Sequence, residues 1–528
     1  SGGAVYVAHY REFAINQQYL ASYKRTFADL HNFDVLAGYE SYNLKLQELQ
    51  GSNTKIYNPT IGELNNAIAS PPRVASFTNE YTTMGYLARI QYDYDEKYFV
   101  SASYRRDASS RFHPDNRWGN FWSVGLGWLM NKESFLADAS WIDMLKFKIS
   151  YGAQGNDNIG NYYAYLDQYT VSNSNNDFAL ALSYKGNKDI TWEVATKHDV
   201  GLDFYLFGNK FSGTVDYFRE TRNGIFMWRS FIPEIIGVSN SQQPAANVGS
   251  VRSSGVDGNI AYSDKIGNVN FTIRGNFTYS KSKILEYDEQ YSHYGYKRSA
   301  GYRVDQTRGL VALGLFKDYE DIRNSPDQSG LKGDFEIAPG DIKYKDVNGD
   351  GKIDDNDIVP IGSTTKPNFI YGFGASASWK GFDVNVLFQG VGKSSFFING
   401  YTVYPFSEKS WGNILTDVVG NYWQLGKNED VNAKYPRLTY GKNSNNNRAS
   451  TFWLRDGSYL RLKNVEIGYT LPKSLTSRIN IQNVRVYVMG TNLLTFSDFK
   501  LWDPELGSSN GQQYPLSRTF TLGMTINL

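Results

Sequence analysis

Thr519-Phe520-Thr521-Leu522-Gly523-Met524-Thr525-Ile526-Asn527-Leu528 ends the chain, and its reading decides the fold. Successive side chains of an extended strand point to opposite faces, so Phe520, Leu522, Met524, Ile526 and Leu528 share one face and the small or polar residues the other. A face that stays apolar to the last residue suits lipid. Phe369, Tyr371, Phe373, Ala375, Ala377 and Trp379 repeat the pattern against Gly372, Gly374, Ser376 and Ser378. After Lys380-Gly381 it resumes with Phe382, Val384, Val386 and Phe388 opposite Asp383, Asn385 and Gln389, which predicts a hairpin. Phe271, Ile273, Phe277 and Tyr279 alternate with Thr272, Arg274, Asn276 and Thr278 in the same way, and Leu145, Phe147, Ile149 and Tyr151 with Lys146, Lys148 and Ser150.

The same alternation places fifteen strands near 15-25, 33-41, 83-94, 98-106, 119-130, 143-151, 195-207, 211-220, 254-262, 268-281, 368-379, 382-390, 458-470, 484-494 and 517-528. Strand 458-470 changes parity between Leu460, Leu462 and Val465, Ile467, so a bulge is expected near Lys463-Asn464. Short and long connections alternate along the chain. The long ones run 42-82, 107-118, 152-194, 221-253, 282-367, 391-457 and 495-516. Tight turns on one side and large loops on the other are the arrangement of an outer-membrane barrel, whose outer side alone carries recognition surface. Charges such as Arg89, Asp93, Lys146, Lys148 and Arg274 recur on the polar face, as a hydrated lumen allows, and Tyr, Trp and Phe gather at strand ends. The expected fold is therefore an all-β transmembrane antiparallel β-barrel in the bacterial outer membrane.

Composition agrees. Across 528 residues no linker divides the chain, aromatics reach 16% and mean hydropathy stays at -0.48, which suits strands apolar on one face only. No run approaches the roughly 18 apolar residues of a membrane helix. With 54 basic and 53 acidic residues and no basic stripe, nucleic acid is not an expected partner. The absence of cysteine removes disulfides, zinc-thiolate sites and cysteine nucleophiles. His9, His31, His113, His198 and His293 are scattered, and no acid/base pair or nucleophile stands out, so no enzymatic activity is expected. Ser1 to Ala4 carry no secretion signal.

Parity adds a constraint. Bacterial barrels have even strand numbers, and fifteen strands ending on the periplasmic side start outside the cell. Either Ala4 to Tyr10 supplies a sixteenth strand that closes a passive porin, or further chain completes the barrel, because unpaired edges do not persist in lipid.

One motif is specific. Asp346, Asn348, Asp350, Lys352, Asp354 and Asp357 stand at positions 1, 3, 5, 7, 9 and 12 of a twelve-residue calcium loop, with Gly351 at 6 for the sharp turn. Asp357 replaces the usual Glu. A structural calcium ion bracing the 282-367 loop is expected, with Lys352 offering its carbonyl. Gly390-Val-Gly392-Lys393-Ser394 is only the tail of a phosphate-loop pattern and reads as a loop start. Trp411, Trp423 and Trp453 suit either stacking on ligand or packing of the loops.

Several segments resemble the SusC/RagA family of TonB-dependent outer-membrane transporters: Pro339 to Asp354 with Ile361-Gly362 and Pro367, Ser458 to Val465 with Gly468 to Pro472, and Gly490 to Leu494 with Asp503-Pro-Glu505. Trp192-Glu193, Gly201 to Asp203 and Arg105 to Asp107 with Ser109 to Phe112 look like family positions too. The resemblance implies a 22-stranded barrel with an N-terminal plug, a TonB-contacting segment, and a SusD-like lipoprotein that caps the outside and delivers glycan or oligopeptide substrates. Plug, TonB box and early strands are not recognisable in residues 1-528, which are expected to form the C-terminal portion of such a barrel. The alternatives are the 16-stranded porin and a surface binding protein without transport.

Overall fold

The computed structural model describes residues 2–69, 71–174, 177–229, 242–407, 413–476 and 481–527; Trp411 and Leu528 lie outside them. All fifteen expected strands are present in one sheet. They are β1 (Ala4–Phe27), β2 (His31–Thr54), β3 (Arg73–Tyr94), β4 (Tyr98–Ser109), β5 (Trp118–Leu129), β6 (Ile142–Asn156), β7 (Glu193–Leu206) and β8 (Phe211–Trp228). The series continues with β9 (Ala245–Ile266), β10 (Val269–Glu286), β11 (Phe369–Trp379), β12 (Phe382–Gly392), β13 (Tyr459–Thr470), β14 (Asn483–Phe496) and β15 (Thr519–Asn527). Each strand pairs with its chain neighbours, and β1 and β15 are the two edges.

Turn chemistry sets the register. Trp379 pairs with Phe382 across Lys380 and Gly381, whose φ of 46° and 89° are the left-handed values a two-residue hairpin needs. A Cβ on Gly381 would meet the Thr470 carbonyl oxygen at 2.7 Å. Ala28-Asp29 and Asp95-Glu96 also adopt positive φ at turns on that side. The expected bulge is present: the β13–β14 register shifts between Leu462 and Asn464, and the β12–β13 register shifts between Leu387 and Phe388.

The two faces differ as the alternation requires. Phe520, Leu522, Met524 and Ile526 are exposed along β15, as are Tyr19, Tyr86, Leu126, Ile149 and Ile273 along other strands. Across the opposite face run ion pairs between strands one or two places apart in the sheet. Lys148 lies 2.9 Å from Asp203 and 3.1 Å from Asp216, and Arg105 lies 3.2 Å from Glu40. Arg485 pairs with Asp383 and, at 2.5 Å, with Glu466. Charges of this density belong on a hydrated lumen wall rather than in lipid.

The strands outrun their sequence-based bounds on the long-loop side. β1 and β2 have 24 residues each, against the 9–11 or so that cross a bilayer, so their far ends stand in water. The expected loop 42-82 shrinks to 55-72; the other six become 110-117, 157-192, 229-244, 287-368, 393-458 and 497-518. Ala4 to Tyr10 pair with Thr54 to Glu48 of β2. They extend β1 and are not a sixteenth strand beside β15, which removes the closure on which the porin reading depended.

Candidate functional site

Three long loops fold together. Within 287-368, 393-458 and 497-518, short strands pair as Gln306–Gly309 with Val359–Thr364, Ala312–Leu315 with Ile342–Tyr344, and Ser395–Phe397 with Leu454–Asp456. Leu310, Leu315, Ile342, Tyr344, Ile353, Phe396, Ile398, Trp423, Tyr435, Trp453 and Phe499 close a single apolar core over these pairs. Trp423 and Trp453 are therefore packing residues. Burial of this order makes the loops a folded unit in their own right, with many side chains each contributing about 1.5–3 kcal/mol.

A buried carboxylate organises that unit. Asp341, 1% exposed, accepts from Arg437 Nε (2.8 Å) and Nη2 (3.0 Å), from the side-chain amides of Asn443 (3.1 Å) and Asn446 (2.8 Å), and from the Ala338 N–H (2.9 Å). Asn446 in turn accepts from the Ile342 N–H at 2.9 Å, and Asn445 donates to the Ile342 carbonyl at 3.0 Å. Trp453 Nε1 donates to the Asn446 carbonyl at 2.6 Å. The Ser/Asn-rich stretch 443-447, which reads as loop composition, is thus a polar keystone. Gly340 beside it has φ of 84°, and a Cβ there would strike Trp423 at 2.2 Å.

The acidic loop 346-357 folds as a closed turn against this unit. Asp346 accepts from the Gly349 N–H (2.7 Å) and the Gly351 N–H (2.8 Å), Asn348 from the Asp350 N–H (3.1 Å), and Asp350 from the Lys352 N–H (2.9 Å). Fully buried Asp357 accepts from the Val347 N–H (2.7 Å) and the Asp354 N–H (2.9 Å), and Asp354 caps the short 3-10 turn Asp355–Asp357. Burial pushes the Tyr296 hydroxyl up, and Tyr294 and the Asp357, Asp346 and Asp350 carboxylates add to it, so these carboxylates face a common neighbourhood. Among the described residues no group of three or more Asp, Glu or His side chains is placed to hold a metal ion. The donor set is nonetheless the hard-oxygen set calcium takes, and an oxygen accepting one amide keeps a second lone pair.

The remaining motifs meet in space. Arg461 of β13, 2% exposed, lies 2.5 Å from Asp503 and 3.2 Å from Glu505, which joins two segments 42 residues apart in the chain into one ion triad around a buried guanidinium. Arg111 stacks over Tyr81 at 4.3 Å and donates to the Asp157 carbonyl at 3.1 Å. Glu193 accepts from Asn156 and from the Phe226 N–H, both at 2.9 Å, beside a second small core of Phe112, Ile159, Ala164, Tyr184 and Ile190. Composition alone gave no signal for these partners, whose separations reach 42 residues and more.

A sheet of barrel strands, polar within and apolar without, topped on one side by a folded loop unit, is the setting for comparison with known proteins. The family model described as TonB dependent receptor-like, beta-barrel, matches residues 2–484. The chain belongs to this family. TonB-dependent receptor P3 of Formosa agariphila is 31% identical over 97% of this chain and 52% of its own length. TonB-dependent receptor SusC of Bacteroides thetaiotaomicron is 26% identical over 94% of this chain and 48% of its own length. The structure of the RagAB peptide transporter superposes with a TM-score of 0.79 at 25% identity, over 99% of this chain and 56% of that one. The chain spans about half the length of the curated relatives it matches. It is a SusC/RagA-like barrel protein of the outer membrane, as the motifs implied.

Proposed function

We propose that this chain forms the C-terminal strands and the extracellular loop unit of a TonB-dependent importer of glycan or peptide nutrients, working with a SusD-like surface lipoprotein. The observation that carries the reading is the joint presence of a lumen-type charged wall and a loop unit with its own core, in a chain whose SusC-named relative aligns over 94% of it. Loops 287-368 and 393-458 are the largest segments on that side and are the proposed docking surface for the lipoprotein. The remaining strands of a 22-stranded barrel, the plug and the TonB-contacting segment complete the proposal; half-length coverage of the relatives supports it. A surface binding protein without transport has no specific observation in its favour.

We also infer that loop 346-357 takes a structural calcium ion through Asp346, Asn348, Asp350 and Asp354, the Lys352 carbonyl and Asp357, whose hard oxygens suit that ion. Sites of this extracellular kind bind at about 10⁻⁴–10⁻³ M. Protease protection of the loop should appear at millimolar calcium and vanish in Asp346→Ala.

The transport reading is tested by purifying the protein from its native outer membrane in mild detergent and by measuring nutrient uptake with and without energised TonB. A co-purifying lipoprotein and TonB-dependent uptake are expected. Recovery of the barrel alone, with 287-368 and 393-458 open to protease, contradicts the docking proposal.

A further inference from the structure

The outer face of β8, β9 and β10 changes character at one level. Val215 and Tyr217 on β8, Ile260 and Tyr262 on β9 and Ile273 on β10 are exposed along it, and the register sets Tyr217 opposite Val256 and Val256 opposite Tyr279. Beyond them, still on the outer face by strand alternation, the apolar series gives way to basic side chains. Arg219 lies opposite Ser254, Ser254 opposite Lys281, and Arg252 opposite Lys283. Lys281 stands twelve residues beyond Val269, where β10 leaves its tight turn. At ~3.3 Å per residue and a tilt of ~40°, that is ~30 Å, just past an apolar band ~25 Å tall. The patch therefore stands at the level of the lipid headgroups on the long-loop side.

Its charges are unpartnered. On the lumen face opposite charges meet, as Lys148 meets Asp203 and Asp216. Arg219, Arg252, Lys281 and Lys283 form no ion pair and no side-chain hydrogen bond among the described residues. Arg252 Nε is closed off from water and meets no acceptor, a costly state for part of a charged group. Like charges directly opposite across two strands repel, and Arg252 and Lys283 are such a pair. The neighbouring carboxylates do not relieve them: Glu220 pairs with Lys197 and Arg222 on the lumen side, Asp288 is held by Arg229 at 3.1 Å, and Glu286 pairs with none of the four. Lys393, stacked over the Tyr279 ring at 5.0 Å, adds a further positive charge beside the patch.

We propose that this patch binds the phosphate of a phosphorylated glycolipid in the outer leaflet of the membrane. Such an amphiphile has the same order as the strand face, with acyl chains against Ile260, Tyr262 and Ile273 and an anionic headgroup at the basic side chains above. A guanidinium takes phosphate through two parallel hydrogen bonds and an ammonium takes it as a point charge, so Arg219 and Arg252 fix the headgroup's orientation while Lys281 and Lys283 add attraction. Tyr217 and Tyr279 sit at the boundary, where a ring with one apolar and one polar end is at home. A free anion leaves the apolar face unused, and a protein docking here has to displace lipid from it. Clustered basic side chains beside an apolar surface are the general form of anionic-lipid recognition.

The test uses the full-length protein purified from its native membrane, exchanged into lipid-free detergent and titrated with lipid A, with enzymatically dephosphorylated lipid A and with inorganic phosphate, binding being read by native mass spectrometry. Lipid A should bind, and its dephosphorylated form should bind at least ten-fold more weakly. The Arg252→Gln, Lys283→Gln double variant should weaken lipid A binding about ten-fold or more. Lys427→Gln with Lys500→Gln removes the same charge from exposed positions of the loop unit and should leave binding unchanged. Heat-modifiable migration reports whether each variant folds, and the comparison of the two lipids on the parent protein decides even where one does not. Equal binding of the two lipids, indifference to the Arg252 and Lys283 changes, equal loss in both double variants, or inorganic phosphate binding as tightly as lipid A overturns the proposal. So does a protein that co-purifies with the parent and is lost from the Arg252→Gln, Lys283→Gln variant.

Discussion

Asp341 shows what single residues do in this protein. Five hydrogen bonds converge on one buried carboxylate, and Arg437 is its charge partner. Removing one member of a buried pair strands the other, at a cost of about 3–5 kcal/mol. Asp341→Ala is therefore expected to open loops 287-368 and 393-458 to trypsin while the strands keep the heat-modifiable migration of a folded barrel; loops as resistant as in the parent would contradict it. A second prediction concerns acid. Glu133, in the short connection 130-141, is held down to about 2 by Lys97, Tyr98 and Trp128, with Lys97 the largest cause. Its folded value lies below its unfolded one, so its stabilisation is complete above the ordinary 4.5 and is lost as pH falls through about 2. Pepsin should leave this connection intact at pH 4 and cut it near pH 2, and Glu133→Gln should be cut at both. Residue roles were the least legible level of the sequence. Asn443 to Asn447 look like solvated loop because their partners, Asp341 and Ile342, lie about 100 positions away, and Trp453 gave no sign whether it faced ligand or core. The closed turn of the acidic loop was easier to read, because all its hydrogen-bonding groups lie within twelve residues.

At the level of elements, alternation and turn chemistry located every strand of the fifteen-stranded sheet, including the bulge, since Leu462 and Val465 cannot share a face without an extra residue between them, but not the short strand pairs within the long loops. Boundaries were less legible for a physical reason. Above the bilayer both faces of β1, β2 and β3 meet water, so the apolar signal fades although pairing continues to Ala4, Thr54 and Arg73. Two expectations belong here. Gly381→Ala places a Cβ in a left-handed turn and against Thr470 O, so the hairpin should lose about 1–2 kcal/mol, read as a lower yield of folded barrel in refolding. Leu522→Arg should cost about 2–4 kcal/mol near the bilayer midplane, whereas Thr521→Arg, one residue away on the lumen side, should cost far less. Equal effects in urea titrations of the two variants would contradict the assignment of faces.

At the scale of the molecule, a strand wall with a polar inner and an apolar outer face carries a folded loop unit on one side and tight turns on the other, and the function proposed above depends on which side meets the outside of the cell. Residues 1–528 hold no cysteine, so that is measurable by labelling introduced cysteines against the parent protein as control. Single cysteines at Tyr440, exposed in the loop unit, and at Asp29, in the turn between β1 and β2, can be introduced into the full-length protein in its native membrane. Intact cells are then treated with a membrane-impermeant maleimide. Labelling of Tyr440→Cys without labelling of Asp29→Cys, and labelling of both after lysis, is the predicted result; labelling of Asp29→Cys in intact cells would contradict it.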